Sequence, residues 1–210
     1  MSEPARIGLL GGTFDPFHRG HLEPVQDVCD EMQWDLVLYV PAYRQPFKSQ
    51  RSSESPFHRY AMCVLGCEDD PRLKVTTLEL ERGALSYTVE TLEELRNRYR
   101  SAVLDWIIGE DSLDQLMQWR SIGRIFELAN FVVLRRGGES VPEMLKGRLR
   151  EAATRGRSGS LVVAANRRLP VSSTEIRERL GRGETISDLV PPRVASYIQK
   201  YGLYESEVTI

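Results

Sequence analysis

The stretch RIGLLGGTFDPFHRGH, residues 6–21, decides how the chain folds. Ile7, Leu9 and Leu10 form a short apolar run without polar alternation, which predicts a strand over 6–11 buried on both faces. Gly11 and Gly12 are expected to end the strand in a tight turn, because glycine tolerates positive φ and lets a ligand approach the backbone closely. Pro16 fixes its own φ and keeps Asp15 out of helix, so the next helix is expected over 21–32, with His21 at its entrance. Strand, glycine turn and helix together open a βαβ unit.

The rest of the chain repeats that alternation. Strands are predicted over 35–40, 73–78, 102–109, 130–135 and 161–165, all rich in Val, Ile and Leu. Helices are predicted over 57–67, 88–99, 111–117, 142–153, 173–181 and 192–200. In one of them Val89, Leu92, Leu95 and Tyr99 fall on a single helical face, Ser86 or Thr88 is the expected N-cap, and Glu90, Glu93 and Glu94 are expected to face solvent. The expected fold is α/β, a doubly wound, mostly parallel sheet with C-terminal helices, in one domain over 1–210. Ligands of such sheets bind beyond the carboxyl ends of the strands at the topological switch point, where the glycine turn lies. Residues 44–56 read as a loop.

Composition narrows the function. Lys and Arg number 28 against 30 Asp and Glu, which lacks the basic excess of a nucleic-acid binder. The apolar runs are far shorter than the roughly 20 residues that cross a bilayer. MSEPARIGLL has an early acidic residue and no basic n-region, unlike a signal peptide. Three cysteines make no disulfide framework and fit a reducing compartment, so the expected setting is the cytoplasm.

The glycine turn carries the chemistry. His18 and His21 are hydrogen-bond donors at a helix entrance, where unpaired N–H groups and the helix dipole favour an anion. Gly20 keeps that entrance clear of side chains. The combination predicts a phosphate pocket of imidazole and backbone N–H. The spacing is neither G-x-G-x-x-G nor G-x-x-x-x-G-K-[ST], which disfavours a nicotinamide oxidoreductase and a P-loop protein. A zinc site from His18, His21, Cys63 and Cys67 is a weaker alternative, since cysteines four apart in a helix commonly share a buried face. So is a turn whose histidines merely cap local structure.

The H-x-G-H at 18–21 resembles the signature of the nucleotidyltransferase superfamily of small adenylyl- and cytidylyltransferases. VSSTEIR, 171–177, resembles its second signature, a Ser/Thr-rich turn opening a helix with an arginine in its first turns. SYTVETL (86–92), WIIGEDSL (106–113), QWR (118–120) and LVPPRVASYIQKYGLY (189–204) are similar to bacterial nicotinate-mononucleotide adenylyltransferases. One departure stands out: relatives often have Pro-x-His-Lys where this chain has Pro46-Phe47-Lys48.

That resemblance implies ATP and nicotinate mononucleotide as substrates, Mg²⁺ with the ATP, and no metal site of the protein's own. His18, His21, Lys48 and Arg177 would act on the phosphates. Gly11, Gly12, Thr13, Phe14, Gly109, Asp111, Ser172, Ser173 and Thr174 would hold ATP, with Asp111 on the ribose. Ser86, Tyr87, Thr88 and Trp119 would hold the mononucleotide, Trp119 against the pyridine ring. Neither nucleic acid nor membrane is an expected partner. Two alternatives stay open: adenylyl transfer to another acceptor, phosphopantetheine or the amidated mononucleotide, and a nucleotide-binding module that senses without turnover.

Overall fold

A computed structural model describes residues 4–46, 54–135 and 159–204. Six strands, β1 (Arg6–Gly12), β2 (Leu36–Pro41), β3 (Leu73–Val75), β4 (Val103–Gly109), β5 (Asn130–Leu134) and β6 (Leu161–Val163), form one sheet. Their order is β3-β2-β1-β4-β5-β6 and every pairing is parallel. The chain builds outward from β1 to β3, then returns to β4 on the other side of β1. The switch point therefore lies between β1 and β4, whose carboxyl ends are Gly12 and Gly109.

Successive residues of each strand point to opposite faces, and both faces are covered. Tyr39, Ile107 and Val132 join one core with Val25 of α1 (Arg19–Val28), Met62 of α2 (Pro56–Cys67), Ile176 of α7 (Ser173–Gly181) and Ile198 of α8 (Pro192–Tyr201). Leu9, Trp106 and Phe131 join the other with Leu78 of α3 (Leu78–Arg82), Leu92 of α4 (Thr88–Arg98), Leu116 of α5 (Leu113–Leu116) and Ile125 of α6 (Ile122–Leu128). Burial on both faces is why the strands read as near-continuous apolar runs. Among the described residues no helix is long and apolar enough to cross a membrane.

All six predicted strands and the predicted helices within the described residues are present, with shifted boundaries. The strand expected over 73–78 stops at Val75, and Leu78 opens α3, which sequence periodicity missed. Five residues are too few for a helical period to register. Gly83, at φ 63°, ends α3 in the left-handed conformation by donating to Glu79 and Leu80 carbonyls. The short α6 was missed as well. β6 ends at Val163, and beyond it the Asn166 amide both accepts from Arg135 N–H (2.9 Å) and donates to Arg135 O (2.9 Å), replacing the ladder. The helix expected over 142–153 lies outside the described residues.

At the amino ends of the strands Asp105 is completely buried. Its carboxylate accepts from Arg6 Nε (2.6 Å), Trp34 Nε1 (2.7 Å) and Asn130 Nδ2 (2.9 Å). Gly8 opposite leaves room for the indole, since a Cβ there would sit 2.9 Å from Trp34. Asp105→Ala strands the buried indole N–H and the Asn130 amide, while half-exposed Arg6 can turn to water. The expected loss is about 3 kcal/mol, the low end for a broken buried pair. Chemical unfolding reads it directly, and ligand affinity at the opposite end of the sheet stays unchanged.

Candidate active site

A cleft of about 1390 Å³ opens at the carboxyl ends of β1 and β4. Every sequence-predicted site residue except Lys48 lines it; Lys48, with Phe47 beside it, lies outside the described residues. Residues nearly 170 positions apart in the chain thus share one cavity, because α7 returns to the mouth of the β1 turn. Ser173 Oγ donates to Pro16 O (3.2 Å) and Arg177 Nη1 to Asp15 O (2.6 Å), which pins the second signature onto the first.

The glycines work differently from the sequence expectation. Gly11 and Gly12 continue β1, and the positive φ falls on Phe14 (54°) instead. A Cβ on Gly11 would meet the Trp106 ring at 2.7 Å, and one on Gly12 the Phe14 ring at 2.8 Å. Their lack of a side chain makes room for two aromatic rings that form the floor of the cleft. Asp15–Pro16 is a cis peptide.

Helix α1 begins at Arg19, two residues earlier than expected, with His18 as its N-cap and His21 in the first turn. The two imidazoles stack, centroids 3.6 Å apart and planes 19° from parallel. His18 is buried, and a Cβ on Gly20 would press on its ring at 3.1 Å. Gly20 therefore clears space for His18 rather than for the entrance as a whole. His21 Nδ1 accepts from the His18 backbone N–H (3.3 Å), which assigns the ring proton to Nε2. Phe14 packs edge-on against the His21 ring at 4.9 Å, and Tyr39 hydroxyl donates to His21 O (3.0 Å). Burial pushes the Tyr39 pKa far up, so that hydroxyl stays a donor. His21 is thus held in orientation and tautomer on three sides.

Ser172 caps α7, accepting from Glu175 N–H (3.1 Å). Thr174 Oγ1 accepts from Arg177 Nη2 (3.3 Å). These contacts and that to Asp15 O engage two of the guanidinium's nitrogens, and a guanidinium carries five N–H donors. The Ser173 and Thr174 N–H groups, in the first turn of α7, have no acceptor within the helix, and both residues line the cleft.

The other end of the cleft departs from the sequence reading in two ways. Neither Ser86 nor Thr88 caps α4: the N-cap is Tyr87, without a side-chain bond, and Ser86 Oγ instead accepts from Tyr43 N–H (3.1 Å). Glu90, expected to face water, is half-buried between Arg120 (3.0 Å) and Arg82 (3.8 Å). The Arg120 guanidinium also lies 4.5 Å over the Tyr87 ring. Trp119 is half-buried, with Phe131 at 6.4 Å on the core side and the cleft on the other. Asp111 sits in the single turn of 3-10 helix after Gly109.

Cys63 and Cys67 lie on the buried face of α2, in one core with Phe17 and Met62. Burial raises both thiols, Cys67 to about 12, so they stay protonated and pack as small apolar groups. Sequence reasoning missed Arg59, which also lines the cleft. Its signal was present: Arg59, Met62, Cys63 and Gly66 fall at i, i+3, i+4 and i+7, placing a cation in an apolar stripe.

The profile of the cytidylyltransferase-like family matches residues 9–179. A probable nicotinate-nucleotide adenylyltransferase of Corynebacterium glutamicum is 40% identical, over 97% of this chain and 90% of its own. Another, from Clavibacter michiganensis subsp. michiganensis, is 37% identical over 98% of this chain and 99% of its own. Among solved structures, the Plasmodium falciparum nicotinic acid mononucleotide adenylyltransferase complexed with APC superposes with a TM-score of 0.73. It covers 95% of this chain and 96% of that one at 18% identity, a likeness of fold. Two signatures on one cleft, a six-stranded parallel sheet and full-length relatives agree: the chain belongs to the cytidylyltransferase-like family, among the bacterial nicotinate-nucleotide adenylyltransferases.

Proposed function

We propose that the protein transfers the adenylyl group of ATP to nicotinate mononucleotide, forming nicotinate adenine dinucleotide and pyrophosphate for NAD synthesis. The observation that carries this is the convergence of His18, His21, Arg177 and the α7 N-terminus on one cleft whose far end holds Tyr87, Thr88 and Trp119. A donor-rich end suits a triphosphate. An end with an aromatic face and a helix N-terminus suits a flat anionic ring.

The mononucleotide phosphate is ionised at neutral pH and needs no strong base. It attacks the α-phosphorus of ATP in line, and pyrophosphate leaves. The protein's part is to align the two substrates and to stabilise charge spreading over the phosphoryl oxygens. His21 Nε2–H, His18, Arg177 and the first-turn N–H groups of α7 serve as donors, joined by Lys48. Mg²⁺ arrives as part of the substrate, on the triphosphate oxygens. A metal carried by phosphate keeps most of its ligands from phosphate and water. The reaction belongs in the cytoplasm, consistent with three cysteines that are all unbridged.

Trp119→Ala weakens the mononucleotide by roughly 1–3 kcal/mol, as expected for lost stacking, and leaves ATP affinity nearly unchanged. Titration of each substrate, with a melting curve alongside, separates this from a core defect. A large drop in melting temperature with intact mononucleotide affinity would remove Trp119 from the binding face. The function itself is tested with Mg-ATP and a panel of mononucleotides and phosphopantetheine, following pyrophosphate and product. Dinucleotide from nicotinate mononucleotide is the expected outcome. Binding without pyrophosphate release would make the protein a sensor.

A further inference from the structure

Arg59 is the largest fully buried side chain among the described residues, and it is a cation. Among the described residues no carboxylate lies within ion-pair distance of it, although the Asp15 charge lies near enough to be felt. Its donors go to backbone carbonyls: Nη1 to Thr13 O (2.5 Å), Nη2 to Ala42 O (2.8 Å) and Tyr43 O (3.2 Å), and Nε to Glu54 O (3.3 Å). Burial lowers its pKa, with Asp15 opposing, which marks the cost of keeping a charge there. Apolar packing of similar volume commonly replaces a buried ionic group without loss of stability. A buried arginine at this position therefore points to a role other than filling space.

The four carbonyls belong to three separate segments: the turn after β1, the exit of β2 and the lead into α2. In a trans peptide the C=O and the following N–H point in opposite directions. Fixing Thr13 O therefore fixes Phe14 N–H on the far edge of the same plane. Fixing Ala42 O likewise turns Tyr43 N–H outward, and that N–H donates to Ser86 Oγ (3.1 Å). Ser86 hydrogen-bonds to buried Glu79, which also accepts from Thr91 Oγ1 (2.5 Å) on α4. One guanidinium thus links the phosphate turn to the loop that opens α4, across the width of the cleft. Only a planar fork with five donors reaches carbonyls on three segments at once; a lysine ammonium has three donors on a flexible stem.

We propose that Arg59 is a positioning residue for adenylyl transfer, a clamp that sets the spacing between the phosphate end and the mononucleotide end of the cleft. It touches neither substrate in this account, and the proposal rests on the function assigned above. Loosening the clamp lets the two substrates drift apart, and a misplacement near 1 Å costs about 10²-fold in rate.

The test uses full-length Arg59→Met and Arg59→Lys with two readouts. In turnover, Arg59→Met loses about 10²-fold in kcat, more than either KM rises, and Arg59→Lys recovers roughly a tenfold part of it. In the unliganded protein, amide hydrogen exchange over residues 11–17 and 42–46 quickens by about tenfold in Arg59→Lys while α8 keeps its protection. A lower melting temperature with unchanged kcat and KM values in the folded enzyme would reduce Arg59 to a structural role. Should Arg59→Met fail to fold, Arg59→Lys decides: full kcat with wild-type exchange overturns the clamp. Wild-type protein inactive on every mononucleotide would instead overturn the functional reading, while the exchange data still judge the clamp.

Discussion

His21→Ala lowers kcat by about 10²–10³ while the protein stays folded, the loss seen when one preorganised donor to a transition-state oxyanion is removed. His21 is poised for that role by its surroundings. The His18 N–H occupies Nδ1, Phe14 and His18 flank the ring, and Tyr39 anchors its carbonyl. The donor is therefore Nε2–H, and the position of that atom matters more than the charge of the ring. Glutamine carries an amide N–H about as far as Nε2, whereas asparagine stops near Nδ1. His21→Gln should accordingly retain more turnover than His21→Asn. Steady-state kinetics of the three variants under saturating Mg-ATP check both statements. Near-normal kcat in His21→Ala removes the imidazole from the phosphoryl centre. The opposite order of glutamine and asparagine would mean that Nδ1 is the working atom.

Nicotinate mononucleotide is used in preference to nicotinamide mononucleotide by roughly 5–150-fold in kcat/KM, the equivalent of about 1–3 kcal/mol. Helix α4 begins at Thr88, and its N-cap Tyr87 offers no side-chain acceptor; Glu90 N–H donates to Tyr87 O (3.1 Å), so the Thr88 and Val89 N–H groups are those left for a ligand. With the helix dipole behind them they favour a carboxylate. A carboxamide would turn its NH₂ against one of those donors and leave it unsatisfied. Glu90 in the same turn would repel an anion, but Arg120 and Arg82 pair with it. Backbone donors survive side-chain truncation, so Thr88→Ala keeps most of the preference. Parallel kcat/KM measurements at one Mg-ATP concentration decide the matter. Equal values, or a preference for the amide, would mean that α4 does not read the carboxylate.

The sheet was legible because its signal is local and strong. Val, Ile and Leu runs buried on both faces can hardly be anything but central parallel strands, and the glycine turn marked the switch point. The residues that line the donor-rich end of the cleft were legible through two compact motifs, each a strand or loop running into a helix. What stayed hidden depends on tertiary contact. Gly11 and Gly12 looked like turn glycines, yet their reason is the bulk of Trp106 and Phe14, one of them nearly a hundred residues away. Ser86 looked like a cap, but Tyr43 claims its hydroxyl from another loop. Glu90 looked solvated until Arg120 arrived from beyond β4. Arg59 was visible as a misplaced charge on an apolar helix face, and its partners, all carbonyls, have no signature in side-chain sequence.

In the proposed mechanism the paired imidazoles donate hydrogen bonds while the mononucleotide phosphate attacks ATP directly. Either imidazole could in principle serve as a nucleophile, taking the adenylyl group before passing it on. Stereochemistry at phosphorus separates the two routes. With ATP made chiral at the α-phosphorus by one sulfur, a single in-line displacement inverts the centre, and two successive displacements restore it. Dinucleotide of inverted configuration is the predicted product. Retention would exclude a single displacement and require a covalent adenylyl intermediate, with one of the two histidines as its carrier.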